Sequence, residues 1–199
     1  GLVTYELASA TGSPLPFAID HSTGEIKSIR TLDYESGPHH YQLLIRASDW
    51  GEPFRRQTQI SLNLTLKDVN DHRPQVEKNN CTANIPIGTK PWTEIMTFSA
   101  IDLDEGNVVS YKMFTPSAEK CFNLNENTGT LRLTCNLKDE MDKALSPSEL
   151  KWTLAISASD GHYFSDISYV KVNVFEERFD ANKKPTKNHI LVECNDVPI

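Results

Sequence analysis

Apolar and polar residues alternate with a period of two along several stretches of this chain. Residues 60–66 read ISLNLTL, residues 169–174 read YVKVNV, and residues 43–47 and 154–158 alternate in the same way. This period is typical of β-strands that bury one face and expose the other. In the first of these strands, Asn63 falls on the polar face, which is predicted to be solvated.

Turn-forming sequences separate the predicted strands, among them residues 22–24 (STG), 51–53 (GEP) and 127–129 (NTG). Many short strands at close spacing favour a β-sandwich over a βα repeat. Residues 138–150 are the one stretch that could be helical, but Pro147 interrupts it. We therefore predict a long loop there, with at most one helical turn.

Two sequence blocks occur twice in the same order. FAIDHSTGEI at residues 17–26 matches FNLNENTGTL at residues 122–131, and LIRASDWG at residues 44–51 matches AISASDG at residues 155–161. Such self-similarity indicates repeated structural units. The sequence therefore predicts an all-β fold of two tandem Greek-key β-sandwiches, joined near Pro74.

The two predicted copies differ in extent. The first copy begins at a point that corresponds to Asn107 of the second, so it is expected to be truncated at its N-terminus and to lack its first strand. The predicted domains are a partial repeat at residues 1–74, an atypical repeat at residues 75–178, and a C-terminal extension at residues 179–199 that packs back on the second repeat.

Composition and charge narrow the class of protein. The 199 residues are 38% hydrophobic, which is normal for a globular chain and excludes a disordered or collagen-like one. The net charge of −7 disfavours nucleic-acid binding. No apolar run approaches the roughly 18 to 20 residues of a membrane span, and no signal peptide opens the chain. We expect an excised fragment whose membrane anchor, if any, lies elsewhere.

Acidic residues are concentrated in motifs that flank the predicted joint. These motifs are Asp33-Tyr34-Glu35, Asp68-Val69-Asn70-Asp71, Asp102-Leu103-Asp104 with Asn107, and Asp160. Loops at the adjoining ends of tandem sandwiches meet, so these carboxylates are expected to converge. At a separation of about 5 Å and an effective dielectric near 20, two carboxylates repel by roughly 3 kcal/mol. Calcium, with about six to eight oxygen ligands in a flexible cage, offsets this repulsion better than magnesium.

Other interpretations of the acidic motifs are open. Asp and Asn favour turns, so these residues could be ordinary solvated turn acids. An EF-hand is a poorer match, because the segment that begins at Asp102 lacks the glycine of position six and the glutamate of position twelve.

The residues that carry these patterns resemble those of the cadherin superfamily. The matching motifs are FAIDHSTGEI, LDYE, ASDWG and DVNDHRP in the first copy, and AIDLDEGN, LNENTGTL and ASDG in the second. The resemblance extends to about Phe175 and is strongest toward the giant Fat and Dachsous-type atypical cadherins. It implies extracellular repeats, stiffened by calcium, that mediate cell–cell adhesion in the ectodomain of a single-pass membrane protein.

The resemblance also implies the partners and the calcium ligands. The partners would be other cadherin ectodomains in cis or trans, with no nucleic acid and no substrate. The implied ligands, in the D-x-E, D-x-N-D, D-x-D and A-x-D motifs, are Asp33, Glu35, Asp68, Asn70, Asp71, Asp102, Asp104, Asn107 and Asp160. Asn70 and Asn107 would contribute backbone carbonyls. Asp49 matches the A-x-D ligand of the first copy, whose partners would lie in a preceding repeat.

The chain departs from the family pattern at several positions. His72 replaces the second asparagine of D-x-N-D-N, and Ala83 replaces a glutamate that bridges two ions. The site at the first copy's D-x-E motif is therefore expected to be at most partly occupied unless Glu77 substitutes, whereas the D-x-D site should bind best. Residues 137–141 and 174–178 are poor calcium linkers, so we hypothesise that the joint after the second copy is calcium-free.

The cysteines predict two disulfides. Cys121 and Cys135 bracket the predicted hairpin and would face each other within disulfide range. Cys81 would then pair with Cys194 and tie the C-terminal tail to the first strand of the second copy. Free buried thiols are the alternative. The spacing of cysteines and histidines does not match a zinc finger.

Sequons at Asn63 and Asn80, together with the even cysteine count, favour an oxidising, extracellular setting in which both asparagines are glycosylated. Three function classes follow from these features. The favoured one is a calcium-stiffened adhesive module. The others are a ligand-binding ectodomain of immunoglobulin or fibronectin type, whose acids are surface charge, and a secreted hydrolase on a calcium-stabilised scaffold. No G-x-S-x-G elbow or glycine-rich phosphate loop supports catalysis, so we expect no enzyme.

Overall fold

The structure is a computed structural model that describes residues 2–9, 14–143, 150–176 and 189–197. The chain divides into two compact units, unit 1 (Gly1–Val69) and unit 2 (Asn70–Ile199). The division falls before the predicted boundary at residue 74, because the backbone N–H of His72 donates to Asp104 Oδ2 at 3.1 Å and ties this segment to unit 2. No helix in the described ranges is long and apolar enough to cross a membrane.

Unit 1 is built from an antiparallel sheet and a hairpin. Its strands are β1 (Val3–Ser9), β2 (Phe17–Ile19), β3 (Ile26–Ser28), β4 (His40–Asp49) and β5 (Gln57–Thr65). β4 lies between β1 and β5, and β2 pairs with β3. In the hairpin turn, Asp20 Oδ1 accepts hydrogen bonds from the N–H groups of Ser22 and Thr23 at 2.9 and 2.8 Å. Gly24 follows with a φ of +77°, which glycine adopts without steric cost.

The strand β5 has the predicted position but not the predicted burial. Ile60 is 59% exposed and Leu62 is 36% exposed. β5 is an edge strand that pairs with β4 alone among the described residues. A strand face is buried only where a second layer covers it, so the prediction of a buried face is wrong for these two residues. Asn63 is exposed, as predicted.

Unit 2 is nearly all β, and its described residues form two main sheets and a small two-stranded sheet. Its elements are β6 (Gln75–Val76), β7 (Lys78–Pro86), β8 (Glu94–Thr97), β9 (Ala100–Ile101), β10 (Ser110–Met113), β11 (Phe122–Leu124), β12 (Thr130–Leu133), α1 (Leu137–Met141), β13 (Lys151–Ser159), β14 (Ser168–Phe175) and β15 (Leu191–Asp196). The larger main sheet has the order β10-β13-β14-β7-β15, the smaller has the order β11-β12-β8, and β6 pairs with β9. β7 runs parallel to β14, and β15 antiparallel to β7.

The inward side chains of unit 2 form one core. Val170 and Val172 of β14 and Leu131 of β12 are completely buried. Phe122 and Trp152 pack edge to face, with ring centroids 5.2 Å apart. The alternation predicted for residues 169–174 thus becomes a buried face, and the all-β prediction is confirmed.

The hairpin of the repeated sequence block recurs in unit 2. Asn125 Oδ1 accepts hydrogen bonds from the N–H groups of Asn127 and Thr128 at 3.0 and 2.9 Å. Gly129 follows with a φ of +67°, and a Cβ there would lie 2.5 Å from the backbone oxygen of Phe98. The two matching blocks therefore encode the same turn. In each, a side-chain oxygen accepts hydrogen bonds from the N–H groups two and three residues later, and a glycine with positive φ ends the turn.

Both predicted disulfides are present in unit 2. Cys121 bonds to Cys135 across the base of the β11–β12 hairpin. Cys81 of β7 bonds to Cys194 of β15, so the C-terminal strand is attached to the sheet covalently as well as by backbone hydrogen bonds. The short helix α1 begins at Leu137, one residue before the stretch 138–150 in which at most one helical turn was predicted.

We predict that the two disulfides contribute unequally to stability. Replacing both Cys81 and Cys194 by alanine should lower the free energy of unfolding by about 4 to 5 kcal/mol, because this bond closes a loop of 113 residues. The Cys121–Cys135 bond closes a loop of only 14 residues, so replacing both of these cysteines by alanine should lower the free energy of unfolding by about 3 kcal/mol. Urea unfolding monitored by tryptophan fluorescence would measure both, and the reverse order would contradict the loop-length explanation.

Candidate metal centre

The pairing of β6 with β9 brings two acidic segments of unit 2 together. The strands are antiparallel, with Val76 opposite Ala100, so the residues before β6 lie beside the residues after β9. Ser110 pairs with Ser159 at the end of β13, which places Asp160 at the same end of the unit. Acids that are far apart in sequence therefore converge through strand pairing.

Asp102, Asp104 and Asp160 form a carboxylate cluster. Each offers an oxygen within 4.8 Å of the others. Asp104 is 5% exposed, and the other two are half-buried. In Asp102 and in Asp160, one carboxylate oxygen already accepts backbone hydrogen bonds from its own loop. Asp102 Oδ1 accepts from the N–H of Asp104 at 3.0 Å, and Asp160 Oδ1 accepts from the N–H groups of His162 and Tyr163, both at 2.6 Å.

Other oxygens of these loops are buried without a hydrogen-bond partner. They are Asn70 Oδ1, Asp102 Oδ2 and Asp160 Oδ2. Buried polar oxygens normally have a partner, so three orphaned acceptors in one cluster indicate a missing cation or donor. Within the described part of the chain, no lysine or arginine lies at ion-pair distance from this cluster.

Asp160 is held in its ionised form. Burial raises its pKa, but hydrogen bonds from the N–H groups of Tyr163 and His162 and from the Asn70 side chain outweigh burial and keep the pKa below its ordinary value. The Asn70 side chain thus contacts Asp160, while the backbone carbonyl of Asn70 stays the predicted calcium ligand. The cluster consequently presents negative charge at neutral pH.

The donor set of this cluster fits calcium. All donors are oxygens, and hard dications such as calcium take oxygen ligands in flexible geometry. At 4.8 Å and an effective dielectric near 20, each carboxylate pair repels by about 3 kcal/mol, which a dication would reverse. Asp102, Asp104, Asp160 and Asn70 would hold the ion, and its role would be to fix these loops.

Two further predicted ligands are connected to the cluster, Asp71 through His72 and Asn107 by its own contact with Asp104. Its Nδ1 lies 3.0 Å from Asp71 Oδ1 and 3.0 Å from Asp104 Oδ1. The Asn107 side chain donates to Asp104 Oδ2 at 3.4 Å. Sequence reasoning noted His72 as a departure from the family pattern but missed these contacts, because Asp104 lies 32 residues away.

The predicted ligands of unit 1 sit in local turns or at the end of the unit. Asp33 is exposed, and its Oδ1 accepts from the N–H groups of Glu35 and Ser36 at 3.1 and 3.3 Å. The Ser36 hydroxyl, together with these backbone donors, lowers the pKa of Asp33. Glu35 and Asp68 are half-buried.

Three further predicted positions have defined surroundings. Ala83 is completely buried in β7, so no side chain reaches the cluster from it. Glu77 accepts a hydrogen bond from the Ser99 hydroxyl and lies outside the carboxylate cluster. Asp49 is half-buried, and its Oδ1 accepts from the Arg56 N–H at 2.7 Å.

The segment where the next D-x-E motif would stand is not a carboxylate cluster. Residues 137–141 form α1, and the side chain of Asn136 caps the helix by accepting from the Lys138 N–H at 3.2 Å. Glu140 Oε1 pairs with Lys120 at 2.8 Å and with Lys143 at 3.0 Å, and these lysines lower its pKa. Protein ammonium groups neutralise the acid here.

Comparison with known proteins agrees with this architecture. The chain is 36% identical over 197 residues, 99% of its length, to the Fat-like cadherin-related tumor suppressor homolog of Drosophila melanogaster. It is 40% identical over 174 residues, 87% of its length, to human Protocadherin Fat 1. The chain spans only 4% of each of these relatives. No family model matches it.

Solved structures show the same fold. Mouse Cadherin-23 EC22-24 superposes with a TM-score of 0.66 at 25% identity, covering 88% of this chain and 53% of that one. Human Protocadherin-24 EC1-2 superposes with a TM-score of 0.70 at 22% identity, covering 89% of this chain and 83% of that one. These relatives are cadherins rather than enzymes, in agreement with the sequence prediction. The chain belongs to the cadherin superfamily and resembles the Fat-type protocadherins.

Proposed function

We propose that this chain is a fragment of a calcium-dependent adhesion ectodomain and has no catalytic role. The observation that carries the proposal is the set of three buried oxygens, on Asn70, Asp102 and Asp160, that have no hydrogen-bond partner beside the buried carboxylate of Asp104. A bound calcium ion would satisfy these oxygens and hold together three loops that otherwise repel one another.

Calcium would act here as a structural element. Extracellular calcium modules bind with dissociation constants of about 10⁻⁴ to 10⁻³ M, so the ion is bound at extracellular concentrations and lost when calcium falls. Asp33, Glu35, Asp68, Asp71 and Asn107 complete the ligand set implied by the family. The site at Asp33 and Glu35 is proposed to be at most partly occupied, because Ala83 supplies no carboxylate.

The proposed partners are other cadherin ectodomains, in cis or trans. The relatives that this chain resembles are cadherins, which supports an extracellular location in a single-pass membrane protein. An immunoglobulin-type ectodomain with acids as surface charge would predict no effect of calcium. No observation in the described residues favours a hydrolase.

We also propose that the joint after unit 2 is calcium-free. Glu140 is already neutralised by Lys120 and Lys143, so α1 offers no free carboxylate pair to an ion. Residues 177–178, part of the segment predicted to be a poor linker, lie outside the described residues. A structure that includes the following repeat and shows ions at this joint would contradict the proposal.

Calcium should raise the thermal stability of the wild-type chain. At a free concentration ten times the dissociation constant, binding stabilises the folded state by about 1.4 kcal/mol, which corresponds to a melting temperature higher by several degrees. Asp160→Asn should remove most of this increase, because it deletes one of the charges that attract the ion. Differential scanning calorimetry with calcium and with a chelator would measure the effect.

The control for this measurement is Glu119→Gln, which removes one exposed negative charge of unit 2 outside the cluster. This variant should keep the full calcium response. Equal responses in Asp160→Asn and Glu119→Gln, or no response in the wild type, would show that the acids are only surface charge.

We predict that Asn63 and Asn80 are glycosylated in secreted protein. Both are exposed, and Asn63 lies on the outward face of β5. Thr65→Ala and Thr82→Ala should each remove one glycan, which intact-mass spectrometry of protein from mammalian cells would detect. An unchanged mass in either variant would show that the corresponding sequon is not used.

A further inference from the structure

Three outward side chains form a row across the larger sheet of unit 2. Tyr169 of β14 lies opposite Ala155 of β13, and Phe114, directly after β10, donates its backbone N–H to the carbonyl of Ala155 at 2.7 Å. Val170, next to Tyr169, is completely buried, whereas Tyr169 is 43% exposed and Phe114 is 44% exposed. Since successive side chains of a strand point to opposite faces, Tyr169 lies on the solvent face of the sheet. The small side chain of Ala155 leaves a shallow depression between the two rings.

The sequon asparagine Asn80 lies beside Tyr169, on the neighbouring strand. β7 runs parallel to β14 with Cys81 opposite Val170, so Asn80 and Tyr169 are the preceding residues of the two strands. Asn79 Oδ1 accepts hydrogen bonds from both of their backbone N–H groups, at 2.7 Å from Asn80 and at 3.4 Å from Tyr169. One carboxamide oxygen therefore connects the glycan attachment residue to the aromatic residue.

A bulge in β7 explains why Asn80 is accessible. Thr82 pairs with Glu193 and Asn79 pairs with Asn195, so β7 has one residue more than β15 between these two pairs. Asn80 has a φ of +49°, in the left-handed region that asparagine tolerates. A bulge re-aims a side chain relative to the regular ladder, and Asn80 is exposed. Its carboxamide is consequently available to carry a glycan.

The ring of Tyr169 is the uncovered part of this row. It takes part in no aromatic pair and no cation–π contact within the described residues. Phe114, in contrast, packs edge to face with Phe164 at 5.9 Å between ring centroids, and Lys112 Nζ lies 5.4 Å from its centroid. Contiguous exposed apolar side chains, unlike single ones, indicate a contact surface.

The position of the sequon identifies what covers this surface. Neighbouring strands lie about 4.8 Å apart, so the row from Asn80 on β7 to Phe114 beside β10 spans about 14 Å. An N-linked glycan begins with two N-acetylglucosamine rings, whose C–H groups carry partial positive charge and are attracted to the negative face of an aromatic ring. We infer that the first N-acetylglucosamine on Asn80 stacks on Tyr169 and that the second extends over Ala155 toward Phe114. This inference rests on the proposed glycosylation of Asn80.

The stacked glycan forms a covalently attached cover for this face of the sheet. It shields the Tyr169 ring from water and occupies the surface that a second copy or another ectodomain would otherwise contact. Adhesive contacts of unit 2 therefore use surfaces other than this one.

The test is NMR of the secreted, glycosylated chain from mammalian cells grown with ¹³C-labelled sugar. The ring current of Tyr169 should shift C–H signals of the Asn80-linked N-acetylglucosamine upfield, and Thr82→Ala identifies these signals by removing them. Tyr169→Thr should return the signals to their ordinary positions, whereas Tyr169→Phe keeps the ring and should keep the shift. The glycan on Asn63 is the internal control: Gln42 lies opposite it, so its signals should be the same in all of these variants.

Melting temperatures provide a second measurement. Removing the Asn80 glycan with Thr82→Ala should lower the melting temperature of the wild type by about 2 to 4 °C. The same change should have little effect in the Tyr169→Thr background, because the stacking partner is already absent. Removing the Asn63 glycan with Thr65→Ala should have the same effect in both backgrounds.

The possible outcomes separate this inference from the proposals on which it rests. Mass spectrometry shows whether Asn80 carries a glycan, and its absence would overturn both the inference and the glycosylation prediction for this residue. A glycan without shifted signals, or a shift that persists in Tyr169→Thr, would overturn the inference alone. Self-association of the wild type that Tyr169→Thr abolishes, measured by analytical ultracentrifugation, would assign the surface to a second copy and overturn it as well. The calcium response is measured independently of all these results.

Discussion

Repulsion among buried carboxylates at one end of unit 2 is the interaction on which the proposed behaviour of this chain depends. Strand pairing brings Asp102, Asp104 and Asp160 within 4.8 Å of one another, and the loops leave buried oxygens without hydrogen-bond partners. The β-sandwich of unit 2 is stabilised by its apolar core, but among the described residues no lysine or arginine lies at ion-pair distance from these loops. Calcium binding would consequently couple the order of these loops to the ionic composition of the medium.

At other places in unit 2, a carboxylate is neutralised by side chains of the protein rather than by an ion. At α1, Lys120 and Lys143 neutralise Glu140, so no external ion is required. At His72, the imidazole Nδ1 lies 3.0 Å from an oxygen of Asp71 and 3.0 Å from an oxygen of Asp104. A lysine is a permanent counter-charge, whereas a cage of oxygens attracts calcium. Whether a lysine lies beside a carboxylate therefore decides whether the protein itself or a bound ion neutralises it.

Strands with the same alternation of apolar and polar residues differ in burial between unit 1 and unit 2. β5 and β14 carry similar alternating sequences, yet Val170 is completely buried while Ile60 is 59% exposed. In unit 2, β14 lies between β13 and β7 and is covered by a second layer. β5 is an edge strand in the described residues. Periodicity therefore located the strand but could not reveal its environment, because burial depends on what packs against a face.

The sequence by itself determined the all-β class, the repeated hairpin turns, the Cys121–Cys135 disulfide and the acidic motifs, because these depend on local periodicity, turn chemistry or short loops. The Cys81–Cys194 pairing, which closes 113 residues, followed only because two cysteines were left. The tertiary structure alone decided that the Asn70 side chain bonds to Asp160, that Glu140 is paired with lysines, and that His72 lies between two carboxylates. Those contacts join residues that are tens of positions apart or depend on side-chain direction. Their geometry is set by strand register and loop packing, which a residue pattern does not encode.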